Sequence, residues 1–196
     1  SNTNGSITST VEVNTTSWVS IVTYTGNGAN ATVGHGLGIA PAFLTVKRRN
    51  AAGNWMTWHQ SLTGTGPYVI LNSTNGVATG AWNNTLPTST VFSLLGSDAD
   101  ENANGSTYVA YCFAQIAGFS SFGSYTGNGS TDGTFVYTGF QPRYVMYKRT
   151  NLASNWNIYD GARNTYNATD ILVCANNANA EASPYPVDFL SNGFKL

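Results

Sequence analysis

Short segments rich in β-branched and aromatic residues recur along the chain, and clusters of Gly, Asn and Pro separate them. Each segment is strand-sized, and none extends into the 3.6-residue apolar stripe of an amphipathic helix. The pattern predicts strands at 7–13, 18–24, 43–49, 55–60, 68–72, 91–95, 108–115, 122–125, 135–137, 144–149, 156–159, 170–174 and 187–190. We expect an all-β fold of antiparallel sandwiches with little helix, because parallel sheets would need crossover helices.

A long stretch of the sequence occurs twice. Residues 23–62 align with residues 124–163 at a constant offset of 101 and without a gap. Both copies carry Tyr-Thr-Gly-Asn-Gly, and both later keep a Pro, a Lys-Arg pair and a Trp at matching positions, which indicates an internal duplication. Asn-Gly-Ser at 4–6 and at 104–106 marks the start of each copy. The sequence therefore predicts two tandem, duplicated antiparallel β-sandwich units at residues 1–103 and 104–196.

The segment 108–115 opens the second unit on this division, and both of its alternating faces are largely apolar. We expect this strand to lie between two packed layers, with Cys112 as a buried, unreactive thiol. Cys174 does not occupy the equivalent repeat position, and we interpret it as a second buried thiol. A disulfide between Cys112 and Cys174 is the alternative.

The balance of charged and apolar residues excludes several partners. Only 9% of the residues are charged, against roughly 25% in an average soluble domain, while 41% are hydrophobic, which argues against disorder. A net charge of -1 offers no basic surface to nucleic acid or to an anionic membrane. The longest apolar runs are far shorter than the roughly 20 residues that span a bilayer. We therefore expect neither nucleic acid nor a membrane as a partner.

Five of the eight basic residues lie at the ends of two equivalent predicted strands: Lys47, Arg48, Arg49, Lys148 and Arg149. Alternation along a strand sends the Lys and the Arg of each pair to opposite faces. The preferred interpretation is a structural ion pair, for example with Asp160, or a solvated strand end. A site for an anionic glycan or a neighbouring subunit is the alternative.

Paired aromatic residues on equivalent strands are the candidate ligand site. Each pair is three residues apart, so its members face opposite sides of a regular strand and one of them is expected at the surface. Aromatic rings beside amide groups are typical of sugar-binding surfaces, because a pyranose offers an apolar face and a rim of hydroxyls. Internal packing of both rings is the alternative. The candidate glycan-binding residues are Trp55, Trp58, Trp156, Tyr159, Asn54 and Asn155.

The titratable residues do not form a recognisable catalytic motif. The only histidines, His35 and His59, match Val136 and Asp160 in the second copy, so neither belongs to the repeated scaffold. No nucleophile elbow and no H-E-x-x-H motif accompanies them. The acidic segment 98–102 lacks the Gly and the distal Glu of an EF-hand, and we interpret it as a solvated acidic loop. We predict no enzymatic activity, no catalytic residues, no bound metal and no cofactor.

Tyr-Thr-Gly-Asn-Gly, at 24–28 and 125–129, indicates a turn with positive φ at the end of an aromatic strand. A phosphate-binding loop is the other interpretation of such a Gly-rich stretch. We reject it because no Lys-Ser/Thr and no predicted helix follow.

Several phrases of the sequence resemble a domain family of unknown function found in tailed-phage structural proteins. They include SIVTYTGNG at 20–28, YVMYKRT at 144–150 and DFLSNGFKL at 188–196, and the likeness covers nearly the whole chain. The resemblance implies a non-enzymatic virion protein of a tail fibre, spike or capsid-surface appendage, assembled in the host cytoplasm and carried on the extracellular particle. It implies other virion proteins as partners, is compatible with a homotrimer, and suggests a host surface glycan as ligand. A secreted bacterial carbohydrate-binding module is the alternative function.

Overall fold

The computed structural model describes residues 1–164 and 166–196. It confirms the all-β prediction, since strands account for 37% of the residues and helices for 4%. The strands pair antiparallel, and the chain divides into two compact units. Unit 1 comprises Ser1–Leu71 and Val77–Ile116, and unit 2 comprises Asn72–Gly76 and Ala117–Leu196.

Unit 1 is a sandwich of a large sheet and a small sheet. Its strands are β1 (Thr10–Asn14), β2 (Val19–Thr25), β3 (Ala31–Gly34), β4 (Phe43–Arg48), β5 (Trp55–His59), β6 (Val69–Ile70), β7 (Val91–Leu94) and β8 (Thr107–Phe113). The six-stranded sheet has the order β1-β2-β8-β4-β5-β6, and β3 pairs with β7. A 3-10 turn, Trp82–Asn84, and a one-turn helix α1, Ala99–Asn102, lie in the connections around β7.

The boundary between the units differs from the expected one at residues 103 and 104. The strand β8, expected to open the second unit, lies in the middle of the large sheet of unit 1, between β2 and β4. It pairs with both neighbours along nearly its whole length, from Tyr108 to Phe113. The backbone hydrogen bonds of both its edges are therefore satisfied in unit 1, and the compact unit ends only at Ile116.

The core of unit 1 lies between its two sheets. Side chains from one face of the large sheet, such as Val22, Leu44 and Tyr108, pack with Val33 and Phe92 of the small sheet. Burial of each such apolar side chain stabilises the fold by roughly 1.5 to 3 kcal/mol. Strand β8 shows the alternation clearly, because its inward residues are fully buried and its outward ones are half-buried. The expected burial of β8 thus holds fully for one face and partly for the other.

Unit 2 contains two three-stranded sheets around a smaller core. Its strands are β9 (Phe135–Tyr137), β10 (Tyr144–Lys148), β11 (Trp156–Asp160), β12 (Val173–Cys174), β13 (Asp188–Leu190) and β14 (Gly193–Lys195). The sheets have the orders β10-β11-β12 and β13-β14-β9. Their shared core consists of Val145, Tyr159, Val187, Phe189 and Phe194. The predicted strand at 122–125 is not formed.

The two units share a strand register at the predicted offset. In unit 1, β4 and β5 pair from Phe43 opposite His59 to Lys47 opposite Trp55. In unit 2, β10 and β11 pair from Tyr144 opposite Asp160 to Lys148 opposite Trp156, which is the same register moved by 101 residues. The Tyr-Thr-Gly-Asn-Gly turns also correspond, because their last glycines have φ angles of 72° and 70°.

Candidate binding surface

The structure places most of the predicted glycan-binding rings inside the protein. Trp58 is 6% exposed, Trp156 is 5% exposed and Tyr159 is fully buried. Trp55 is half-buried and stacks on Tyr111, with ring centroids 6.1 Å apart. One ring of each pair was expected at the surface. In the first pair Trp55 is partly exposed and Trp58 is buried, but in the second pair both rings are buried. These side chains therefore do not form the expected stacking surface.

The two predicted amide donors have structural partners. The backbone N–H and the side-chain amide of Asn54 both donate to the Asp100 carboxylate, at 2.9 Å. The side-chain oxygen Oδ1 of Asn155 accepts a hydrogen bond of 2.9 Å from the side-chain amide of Asn176. Asn54 thus links the start of β5 to α1, and Asn155 links the start of β11 to the loop after β12.

Exposed aromatic rings are instead concentrated in unit 2. All the exposed aromatic side chains among the described residues belong to it: Phe119, Tyr125, Phe135, Tyr137, Tyr144, Tyr166 and Tyr185. The exposed large hydrophobic side chains of unit 1 are all aliphatic among the described residues. The aromatic content of the chain, 13%, does not predict which unit exposes its rings, because aromatic residues also fill the core of each unit. Tyrosine is suited to such a surface, since its ring offers an apolar face and its hydroxyl remains hydrated.

A polar network lies beside one of these rings. Tyr144, 55% exposed, pairs with Asp160 at the edge of its sheet. The Asp160 carboxylate accepts a hydrogen bond of 2.6 Å from Arg163 Nε, and Arg163 Nη1 lies 3.3 Å from Glu181. The hydrogen bond from Arg163 lowers the pKa of Asp160, so the carboxylate stays ionised. The cluster thus combines a ring face with fixed donors and acceptors.

Asp160 does not pair with the basic residues at the strand ends, as one interpretation proposed. Lys47 Nζ donates to the Gly53 carbonyl oxygen, and Lys148 Nζ donates to the carbonyl oxygens of Thr74 and Arg149. These lysines therefore bind backbone carbonyl groups rather than carboxylates: Lys47 closes a local loop, and Lys148 also reaches a residue 74 positions away.

The acidic segment 98–102 is folded rather than solvated, which corrects its interpretation as a loop in water. The Asp98 side chain caps α1 by accepting the Asp100 N–H at 2.8 Å. Glu101 is fully buried, and its two carboxyl oxygens accept the backbone N–H groups of Trp82 at 3.3 Å and Leu95 at 3.1 Å. Burial raises the pKa of Glu101 to about 8. This side chain holds two loops against the core.

Asn102, the last residue of the acidic segment, fixes the Tyr-Thr-Gly-Asn-Gly turn of unit 1. Its side-chain oxygen accepts the Asn27 N–H at 2.9 Å, and its backbone oxygen accepts the Gly28 N–H at 3.0 Å. The turn therefore binds an amide group of its own unit through backbone N–H groups. The Gly-rich pattern predicts the turn but not its partner, 75 residues away.

Both histidines have structural hydrogen bonds. His35 is fully buried; its Nε2 donates to the Thr88 carbonyl oxygen at 3.1 Å and its Nδ1 accepts the Leu37 N–H at 3.2 Å. His59 Nδ1 accepts the Ser61 N–H at 3.0 Å. Burial lowers the pKa of both rings, which favours neutral imidazole.

Cys112 is fully buried, and burial raises the pKa of its thiol to about 12. It matches the prediction of a buried thiol. Cys174 is half-buried rather than buried, and both cysteines are free, so the alternative of a disulfide is wrong. Over 1–164 and 166–196, no group of three or more His, Cys, Asp or Glu side chains is arranged to hold a metal ion. None of the described helices has the length and apolar character needed to cross a membrane.

These features define a two-unit, all-β protein with antiparallel sheets, a larger core in the first unit and exposed tyrosines on the second. The chain belongs to the DUF7483 family, a domain family of unknown function, which it matches over residues 1–196. No curated protein and no solved structure matches the chain.

Proposed function

We propose that this chain is a non-enzymatic structural protein of a tailed-phage virion, in a tail fibre, spike or capsid-surface appendage. In this role it works by binding and assembly, and its second unit contacts a host surface glycan. The proposal combines the resemblance of the sequence with the concentration of exposed tyrosines on unit 2, which is the observation that carries it. Low charge suits an extracellular surface, because it limits nonspecific attraction.

The glycan contact would use Tyr144 and its neighbours rather than the aromatic pairs expected from the sequence. A pyranose ring can stack its C–H face on the exposed tyrosine ring. Its hydroxyls can then donate to the Asp160 or Glu181 carboxylate, and Arg163 can donate to a sugar oxygen. The ion pairs already hold these groups in place, which reduces the entropy lost on binding.

Two experiments test the proposal. Cryo-electron microscopy or antibody labelling of intact particles should locate the chain on the virion surface. Tyr144→Ala should weaken adsorption of the isolated chain to host cells by about three- to tenfold without loss of folding, whereas Leu152→Ala, which removes a similarly exposed aliphatic side chain, should not.

Unchanged adsorption of Tyr144→Ala would refute the glycan contact and leave only the proposed role in virion assembly. Sugar binding by a chain that no particle contains would favour a secreted bacterial carbohydrate-binding module instead. Turnover of a host polysaccharide by the isolated chain would contradict the non-enzymatic role.

A further inference from the structure

The two units differ at one edge of their matching sheets. In unit 1, β4 is covered on one side by β5 and on the other by β8. In unit 2, β10 has the same register with β11, but none of the strands described for unit 2 pairs with its other side. An edge strand with unpaired N–H and C=O groups is a template for another strand.

The hydrogen-bond pattern shows which groups of β10 face this free edge. Gly161 N–H donates to the Arg143 carbonyl oxygen, so in the alternating antiparallel pattern residues 143, 145 and 147 bond to β11. The backbone groups of Tyr144, Met146 and Lys148 therefore point away from β11. Their equivalents in β4 point to β8, as the bond from Arg49 N–H to the Thr107 carbonyl oxygen shows.

A second, independent difference lies at the Tyr-Thr-Gly-Asn-Gly turns. In unit 1, Asn102 binds the turn, and Gly26 N–H donates to the Ser106 carbonyl oxygen. Tyr24 is consequently 5% exposed and stacks on Tyr108 of β8, with ring centroids 5.1 Å apart. In unit 2, the turn at 125–129 is exposed throughout, and Tyr125 is 38% exposed.

Both differences concern one continuous segment of unit 1. Residues 102–113 bind the turn through Asn102 and cover β4 through β8. Among the described residues of unit 2, no strand pairs with the equivalent side of β10. The strand part of this segment has no charged residue. Its inward side chains are one aromatic and two small ones, Tyr108, Ala110 and Cys112, and its outward side chains are large: Val109, Tyr111 and Phe113.

We propose that unit 2 binds an extended segment of another polypeptide by strand addition along β10. The partner segment has the chemistry of residues 102–113, with an asparagine that binds the turn at 125–129 followed by an uncharged strand in which large and small residues alternate, as they do at 109–113. Main-chain hydrogen bonds supply the affinity and the alternating side chains supply the selectivity, as in other cases of β-strand addition. The inference rests on the free edge of β10 and the exposed turn at 125–129, and it does not depend on a role in a virion.

A synthetic peptide of residues 101–115, with Ser in place of the cysteine to prevent oxidation, is the probe. Its binding to the full chain is measured by fluorescence anisotropy, and the bound site is located by amide hydrogen exchange. The peptide should bind and should protect the amides of Tyr144, Met146 and Lys148. A scrambled peptide of the same composition should not bind.

Met146→Pro is the decisive variant. It removes one N–H at the free edge and no hydrogen bond to β11, and proline is tolerated on an edge strand where its nitrogen faces solvent. Peptide binding should weaken by about tenfold or more, because a hydrogen bond is lost and the ring obstructs the added strand. Met146→Thr, which copies the equivalent Thr45 and keeps the N–H, should bind as the unchanged chain does. The peptide variant Asn102→Ala should bind more weakly, since it lacks the side chain that binds the turn.

Three results would overturn the proposal. The first is no binding up to the solubility limit of the peptide, and the second is binding that Met146→Pro leaves unchanged. The third is self-association of the chain, detected by light scattering, that Met146→Pro abolishes, because it would assign the edge to a second copy of β10. Circular dichroism of each variant verifies that unit 2 is still folded.

Discussion

Glu101→Gln should remove a pH dependence that the buried carboxyl imposes on the stability of unit 1. The pKa of this group is 4.5 in an unperturbed glutamate and about 8 in the folded protein, where burial opposes ionisation more strongly than the two backbone N–H groups favour it. The folded state therefore holds a proton that the unfolded chain releases between these pH values. Its contribution to stability is complete below about pH 4.5 and is lost as the pH rises to about 8.

The size of this effect follows from the difference between the two pKa values. One pKa unit corresponds to about 1.4 kcal/mol, so the loss reaches up to about 5 kcal/mol over the window. That amount is comparable with the whole stability of a small domain. Gln has no titratable proton, and it also leaves one of the two backbone N–H groups facing an amide nitrogen, which costs roughly 1 to 3 kcal/mol at every pH.

The assay is urea unfolding at pH 5, 6, 7 and 8, followed by tryptophan fluorescence, which reports mainly unit 1 because four of the five tryptophans lie there. His35 and His59 have lowered pKa values, and their contribution to stability changes with pH in the opposite direction. They are present in both proteins, so the difference between the unchanged chain and Glu101→Gln isolates the carboxyl. Because the loss over this window exceeds the constant cost of Gln, the unchanged chain should be the more stable protein near pH 5 and the less stable one near pH 8. A difference that is constant with pH would refute the reasoning.

Three further experiments test the packing of the protein, mainly in unit 1. A thiol reagent should label Cys174 in the native protein and Cys112 only after unfolding, because Cys112 is fully buried and its pKa is raised to about 12; equal labelling rates would contradict this placement. Leu44→Ala should lower the free energy of unfolding by about 2 to 5 kcal/mol, whereas Ile39→Ala, at an exposed position, should change it by less than about 0.5 kcal/mol, as urea titration can measure. Tyr108→Phe should cost about 1 to 2 kcal/mol, because its hydroxyl donates to the Ala99 carbonyl oxygen and accepts the Ala103 N–H; unchanged stability would show that water replaces both bonds.

Local patterns in the sequence determined the strands and several of their properties. The segments 43–49 and 55–60 were recognised because β-branched and aromatic residues alternate between Gly and Asn clusters, and the structure forms β4 and β5 there. The positive φ of the turn glycines was also predictable, since Gly alone adopts that conformation without strain. The burial of Cys112 followed from its alternating apolar neighbours.

Residues far apart in the chain decided the candidate site. Tyr159 and Trp156 carry the same alternation signal as Trp55 and Trp58, yet which rings are covered depends on the layers that pack on each face. Glu101 lies in an acidic stretch that looks solvated, but backbone donors near residues 82 and 95 make its burial tolerable. Neither the layers that cover these rings nor the backbone donors to Glu101 can be recognised from the neighbouring residues in the sequence.

The position of β8 also separates what the sequence determines from what the tertiary structure decides. The sequence alone determined that residues 108–115 form a strand with an inward face of aromatic and small residues. Only the tertiary structure decided that this strand completes the sheet of the first unit, because antiparallel pairing depends on which edges meet in space and not on the order of the repeats. The edge position of β10 is consistent with that placement, since the segment that completes the sheet of unit 1 is not available to unit 2.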